Sequence, residues 1–275
     1  MLFGEFVKLA KQKYNLSKDN LRDLSWLGAS VLDNDVLGTV GILSLEIDET
    51  DITKLENYIM RLTNNEPLAY ILGNVDFYGN NLKVNKSVLI PRPETEILCE
   101  TIIKENQNKK NLDILDLCTG SGCIAITLAK ELNCKIVATD ISKKAIELAK
   151  ENADAECVKV KFLISDMFKQ VSNKFDIIVS NPPYIESESI DTLSHSVKDF
   201  EPRWALDGGN DGLDFYKVIA STSPNFLKPN GKLYLEIGYN QGKSVPKLLE
   251  KNFCNIKVLK DYDKLDRIIV ATLRS

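Results

Sequence analysis

The stretch Leu112-Asp-Ile-Leu-Asp-Leu-Cys-Thr-Gly-Ser-Gly-Cys-Ile-Ala125 packs a short apolar run, a small-residue turn and the opening of a helix into consecutive residues. LDILDL (112–117) is apolar, short and ends at glycines, as a buried strand does. A helical pattern follows through Cys123–Leu132. The alternation then repeats. KIVAT (135–139) reads as a strand with Ser142–Asn152 as its helix, and VKVKFLI (158–164) and FDIIVS (175–180) read as the next two strands. After a long loop come a helix near 212–222, strand KLYLEIG (232–238), a helix near 241–252, and two late strands, about 254–259 and 267–273. Strands alternating with helices predict an α/β fold, a doubly wound, mostly parallel sheet with helices on both faces. Ligands on such sheets bind beyond the carboxyl ends of the strands, where strand order reverses.

Upstream the pattern changes. Phe3, Phe6, Val7 and Ala10 follow helical spacing, as do Leu21, Leu24, Trp26–Leu27 and Val31, and a third set, Ile52, Leu55, Ile59 and Leu62, follows Thr50–Asp51. Val75 to Val84 carries aromatic and β-branched residues around Gly79-Asn80-Asn81 and reads as a β-hairpin. Pro91-Arg92-Pro93-Glu94-Thr95-Glu96 stiffens the chain and opens a helix, with acids in the first turn. Lys104–Asn111 is polar and loop-like. The expected organisation is a small helical N-terminal domain (1–75), a linking hairpin (76–90) and a larger α/β domain (91–275).

With 44% hydrophobic and 27% charged residues in 275, disordered and low-complexity classes drop out. The net charge is −4, against a protein built to coat nucleic acid or anionic membrane. Residues 1–75 hold seven basic and eleven acidic side chains, whereas 76–275 hold 28 of each, so the whole acidic excess is N-terminal. It is either a solvated face or a site for a basic partner. The longest uncharged stretch, Leu117–Ala129, is too short to span a membrane, and the N-terminus has no apolar run with a cleavage site. A cytoplasmic protein without a membrane partner is expected. Its six cysteines, at 99, 118, 123, 134, 157 and 254, form no CxxC pair, so reduced and mostly buried thiols are expected and no metal site. His195 is the single histidine, which removes mechanisms built on a His-centred triad or a two-His metal site.

Gly120 and Gly122 with Ala125 fit a G-x-G-x-x-G/A turn between strand and helix, where backbone lies close to a ligand. Asp140 ends the next strand, placed to accept ribose hydroxyls; capping the 142–152 helix is its plain structural role, for which Ser142 is better placed. These signals admit a nicotinamide dinucleotide or S-adenosylmethionine. Asp116, just before the turn, would repel a pyrophosphate but suits the ammonium of a methionyl group. Asp166 ends the third strand and either accepts from an adenine amino group or caps a helix.

Asn181-Pro182-Pro183-Tyr184 ends the fourth strand. Consecutive prolines hold a rigid extended turn with no backbone donors of their own. The Asn181 amide and the Pro182 carbonyl then offer two acceptors for both hydrogens of a planar –NH₂ group, and Tyr184 offers a flat face for stacking. Methylation of such a nitrogen by a sulfonium needs no His or metal, only position and acceptors where positive charge grows.

NPPY, the DLxTGSG turn, Asp140, PRPETE, PLAYILGNVDFYG (67–79) and EPRWALDGGNDGLDFY (201–216) together resemble the peptide chain release factor glutamine methyltransferases, the HemK/PrmC family. The resemblance runs from about 67 to 240 and implies the class I S-adenosylmethionine-dependent methyltransferase fold. It implies that Cys118, Thr119, Gly120, Ser121, Gly122, Asp140, Asp166 and Met167, with Asn181, hold S-adenosylmethionine. Asn181, Pro182, Pro183 and Tyr184 would hold the substrate glutamine, with Asn181, Pro182 and Tyr184 acting in transfer. That glutamine belongs to the Gly-Gly-Gln loop of class 1 release factors, and the product is N5-methylglutamine. Cys118 stands where the family has its first glycine, and Met167 where it often has Trp beside the adenine. An adenine-N6 methyltransferase shares NPPY but needs a basic track for phosphates. A NAD-dependent oxidoreductase leaves NPPY unexplained, and so does a non-catalytic cofactor-binding module. A monomer with no direct nucleic-acid contact is expected. His195 receives no catalytic role, Arg92 and Glu94 are expected to order the loop near the cofactor, and Trp204 is read as core or substrate channel.

Overall fold

The structure, a computed structural model, describes residues 1–33 and 39–274. Residues 34–38, within the span expected to be helical, lie outside the described residues. The chain divides into two units: Met1–Gly73 with His195–Phe200, and Asn74–Ser194 with Glu201–Ser275.

In the first unit the helical spacings of the sequence are realised. Helices α1 (Phe3–Tyr14), α2 (Lys18–Val31), α3 (Thr39–Ile42), α4 (Glu49–Thr63) and α5 (Leu68–Leu72) follow one another. Ser17 caps α2 by accepting from Asn20 N (3.1 Å), and Asp48 caps α4 by accepting from Asp51 N (2.9 Å). Phe3, Phe6, Leu24, Leu27, Leu55, Ile59 and Leu62 form its core. Trp26, one step off the α2 stripe, is 43% exposed.

The second unit opens with strands β1 (Asn74–Phe77) and β2 (Asn80–Lys83), antiparallel. The turn residues Tyr78 and Gly79 both have positive φ, the two-residue turn that suits strand twist. Asn152 fastens this hairpin. Its Oδ1 accepts from Lys83 N (2.8 Å), and its Nδ2 donates to Lys83 O (3.0 Å) and to Ser121 O (2.9 Å). The hairpin expected as a separate linker is therefore bonded into the α/β unit.

Next come α6 (Pro93–Asn106), β3 (Leu112–Leu117), α7 (Cys123–Glu131), β4 (Cys134–Asp140), α8 (Lys143–Ala155), β5 (Val160–Ile164) and β6 (Phe175–Ser180). The short α9 (His195–Lys198) counts with the first unit. Then follow α10 (Asp214–Thr222), β7 (Leu227–Glu236), α11 (Ser244–Leu249), β8 (Phe253–Lys260) and β9 (Asp266–Leu273). The seven strands lie in the order β5-β4-β3-β6-β7-β9-β8, parallel except for β9, which pairs antiparallel with both neighbours. Strand order reverses between β3 and β6. Leu117 pairs with Thr139 and with Ser180, so the residues that follow, 118, 140 and 181, leave the sheet at one rim. Apolar clusters on the two sheet faces hold this register, with Ile114, Ile136 and Ile177 on one side and Leu115, Ile178 and Leu233 on the other.

Four expectations differ in extent. Helix α6 runs on to Asn106, a buried side chain whose Nδ2 donates to Ile102 O and Tyr234 Oη. Strand β5 starts at Val160, not 158, because Val158 N still donates to Ala153 O at the end of α8. Strand β7 starts at Leu227, which pairs with Phe175 ahead of a register shift. The helix expected over 241–252 is only Ser244–Leu249, since Gln241 is held in a turn by Gly238. Of the cysteines, Cys99 and Cys123 are buried and Cys157 is exposed, so the thiols are less buried than expected; all six are free.

Candidate active site

The rim where β3, β4, β5 and β6 end surrounds a cavity of about 260 Å³. On its first side, the turn after β3 is tied to β4. Thr119 N donates to Thr139 O (2.9 Å), and Gly120 N donates to Asp140 Oδ2 (2.9 Å). Asp140 Oδ1 accepts from Ser142 N (2.8 Å), while Ser142 caps α8 through Ala145 N. Burial pushes the Asp140 carboxyl above the usual range, and the backbone N–H groups of Ser142 and Gly120 oppose that.

Asp116 lies beneath the turn. It is wholly buried, its Oδ2 accepts from Thr119 Oγ1 (2.6 Å), and its Oδ1 has no hydrogen-bond partner among the described residues. Burial raises its pKa to about 7. It does not itself line the cavity and supports the turn from below through Thr119.

Cys118, at the start of the same turn, meets Met167 after β5, their sulfurs 3.8 Å apart. Both adopt left-handed backbone, φ 60° and 47°. Asp166 is exposed and paired with Lys169 (2.7 Å); no helix follows it to be capped. Ile141, 65% exposed, and Trp204, 56% exposed, also border the cavity.

Asn181 faces the turn from β6. Its Nδ2 donates to Thr95 Oγ1 (3.2 Å), and Thr95 Oγ1 donates to Glu236 Oε2 (2.7 Å). With its nitrogen engaged there, the amide Oδ1 meets no protein donor among the described residues. The segment after Asn181 is clamped from behind. Ile185 N donates to Leu206 O and Gly208 N to Ile185 O (2.8 Å), while Gln241 Nε2 donates to Tyr184 O and Gly212 O, both 3.1 Å. A Cβ on Gly208 would sit 2.7 Å from Tyr184 Cα, and one on Gly212 2.4 Å from Tyr184 O, so only glycine lets these strands of backbone approach. Arg92 Nη2 donates to the buried Glu201, which also accepts from Ile90 N (3.2 Å).

Residues 93–198 match the family described as "Methyltransferase small domain". The release factor glutamine methyltransferase of Streptococcus pneumoniae is 40% identical over 96% of this chain and 98% of its own. The chain belongs to the release factor glutamine methyltransferase family. Two solved structures share the fold. A methyltransferase from Pyrococcus furiosus has a TM-score of 0.56 and 19% identity, covering 79% of this chain and 98% of its own. A Thermus thermophilus 16S rRNA methyltransferase, solved with S-adenosylmethionine and guanosine, has a TM-score of 0.53 and 19% identity, covering 73% of this chain and 50% of its own.

In this family member, Cys118, Thr119, Gly120, Ser121, Asp140, Asp166, Met167, Asn181 and Pro183 line one cavity. Gly122, Pro182 and Tyr184 do not. Gly122 begins α7, and its Cα packs toward Ala149 of α8. Pro182 is buried, and Tyr184 packs on the β6–β7 core, where burial pushes its hydroxyl well above the usual range. His195 is exposed, pairs with Asp199 (2.7 Å) and is no part of the cavity. Three residues were missed from sequence: Thr95, Glu236 and Gln241. Thr95 lay within a quoted motif, but Glu236 read only as part of a strand and Gln241 as helix.

Proposed function

We propose that this chain transfers a methyl group from S-adenosylmethionine to the side-chain amide nitrogen of the glutamine in the Gly-Gly-Gln motif of class 1 release factors. The observation that carries this reading is Asn181: at the β3/β6 switch point it borders the same cavity as the Gly120 turn, with no protein donor on its Oδ1 among the described residues.

The residues present fit the methyl donor. A Cβ built on Gly120 meets nothing within 4 Å, so the turn leaves open space beside backbone, and both Asp140 oxygens are oriented by N–H groups while keeping a lone pair each. Cys118 to Ser121 would hold the methionyl part, Asp140 the ribose, and Met167 with Asp166 the adenine, while Gly122 sets the start of α7. When bound, S-adenosylmethionine supplies a methyl on a cationic sulfur, already activated for attack. Asn181 Oδ1 accepts a hydrogen of the glutamine –NH₂ and stabilises positive charge as it grows on nitrogen; the Pro182 carbonyl, to which the family resemblance gives the second hydrogen, belongs to a buried residue outside the cavity lining. Pro183 and Tyr184 keep the Asn181 acceptor in place. Positioning of this kind is worth roughly 7–11 kcal/mol of a barrier.

The adenine-N6 alternative is not favoured, since residues 76–275 balance 28 basic against 28 acidic side chains. The N-terminal helical unit, with its acidic excess, recognises the release factor, and the chain acts as a cytoplasmic monomer without direct nucleic-acid contact. No helix among the described residues is long and apolar enough to cross a membrane.

The test is incubation with labelled S-adenosylmethionine and a purified release factor, with a Gln→Ala release factor and DNA as controls. Label in the first alone is the expected result; label in DNA rejects the reading. Asn181→Ala should lower transfer at least about a hundredfold while donor binding persists, whereas Asp140→Ala should weaken donor binding first, as calorimetry would register. An Asn181→Ala enzyme as active as its parent rejects the clamp.

A further inference from the structure

Glu236 is a carboxylate set into the end of β7, 1% exposed, behind the cavity rather than on it. Its Oε2 accepts the Thr95 hydroxyl at 2.7 Å, and Thr95 Oγ1 accepts from Asn181 Nδ2 at 3.2 Å. A buried carboxylate is costly to keep, and the clamp as described above gives this one no task.

An asparagine amide has two faces. Turned one way it offers an acceptor to the cavity, turned the other way two donors, and only the first can receive a substrate –NH₂. Something must choose. An ionised carboxylate accepts hydrogen bonds and donates none, so the Thr95 hydroxyl spends its single hydrogen on Glu236. Thr95 is left with lone pairs alone for Asn181, and lone pairs select the Asn181 nitrogen. We propose that Glu236 and Thr95 are positioning residues for methyl transfer, setting the direction of the Asn181 carboxamide so that its oxygen faces the cavity. This inference rests on the reading of Asn181 as the acceptor of the substrate amide.

The direction reverses if Glu236 is protonated. It then donates to Thr95, freeing the Thr95 hydrogen to bond the Asn181 oxygen and turn the NH₂ toward the cavity. Burial raises the Glu236 carboxyl to about 7, opposed by Thr95, by Arg267 of β9 and by Asn181, with Glu94 of α6 adding repulsion. Tyr184, Tyr216, Cys99 and Cys123 also feel its charge, and Glu96 and Glu100 of α6 and Asp266 of β9 are further charged groups on the elements packed around it. Ionised Glu236 is the competent form, so kcat falls as pH drops through about 7.

The experiment measures kcat, KM for the release factor and the dissociation constant for S-adenosylmethionine in the parent and five variants. Thr95→Val, which keeps shape and loses the hydroxyl, and Glu236→Gln, which loses the fixed direction, should each lower kcat at least about tenfold, with KM and donor affinity within about twofold. Thr95→Ser should recover most of what Thr95→Val loses. The acid limb of the parent's kcat profile should vanish in Glu236→Gln and persist in Asp116→Asn. If Asn181→Ala abolishes transfer while Thr95→Val and Glu236→Gln match the parent, the relay is overturned and the clamp stands. Equal loss of donor affinity and kcat in Thr95→Val also overturns it, as that marks a structural defect.

Discussion

Cys118 stands at a backbone position with φ 60°, where a side chain is crowded and glycine is not. Replacing it by glycine relieves that strain, and thermal melting of Cys118→Gly should show the α/β unit more stable by about 1 kcal/mol. A drop in stability would mean that packing of the thiol against Met167 outweighs the strain. At this scale the sequence announced those residues whose chemistry shows in their neighbours. Asn181 sits before two prolines, and Gly120 and Gly122 sit between a strand and a helix. Glu236 gave no such sign, because an acid in KLYLEIG looks like the polar partner in an alternating strand. Only the buried approach of α6 reveals what it touches.

Elements were legible where period and length agree. LDILDL and FDIIVS appear as β3 and β6 at the residues expected, since fully buried parallel strands are continuous apolar runs. The ends were harder: Gln241 reads as a helix former, yet its side chain is spent on Gly238, Tyr184 and Gly212. The loop 207–212 likewise resembled a family motif without disclosing its use, which is to lie under Pro183 and Tyr184 as a rigid bed. Gly212→Ala would push its Cβ toward Tyr184 O, 2.4 Å away, at a φ of 67° that alanine resists. Steady-state assays should find kcat lower by at least about tenfold, as sub-ångström displacements near reacting atoms do, with donor affinity nearly intact. Unchanged kcat would show that the bed does not set the position of Asn181.

Across the whole molecule, two buried carboxyls, Asp116 and Glu236, are held near pKa 7 by desolvation. The folded chain therefore binds more protons than the unfolded one between about pH 4 and 7, and stability declines as pH rises through that window, then levels off. Carboxylates held low by their hydrogen bonds, such as Asp176, by Asp113 N and Lys228, and Asp261, by Leu265 N and Arg267, act in the opposite sense and only at more acid pH. Urea unfolding at pH 5.5 and 8 should find the α/β unit more stable at the lower value, and Asp116→Asn should shrink the difference. A parent equally stable at both would contradict the burial of these groups. The division into units was only partly visible in the sequence. The change from helical to alternating pattern near residue 75 is plain, but nothing in the six residues His195–Phe200 says that they count with helices more than a hundred positions earlier.

Asn152 gives the hairpin a second meaning. One carboxamide, out of sight on α8, ties Lys83 to Ser121 and spends its oxygen and its nitrogen doing so. A stretch of chain with the look of a hinge is thereby an outrigger of the Gly120 turn, and on the function proposed above, trimming or lengthening it should weaken S-adenosylmethionine binding in calorimetry before it raises KM for the release factor.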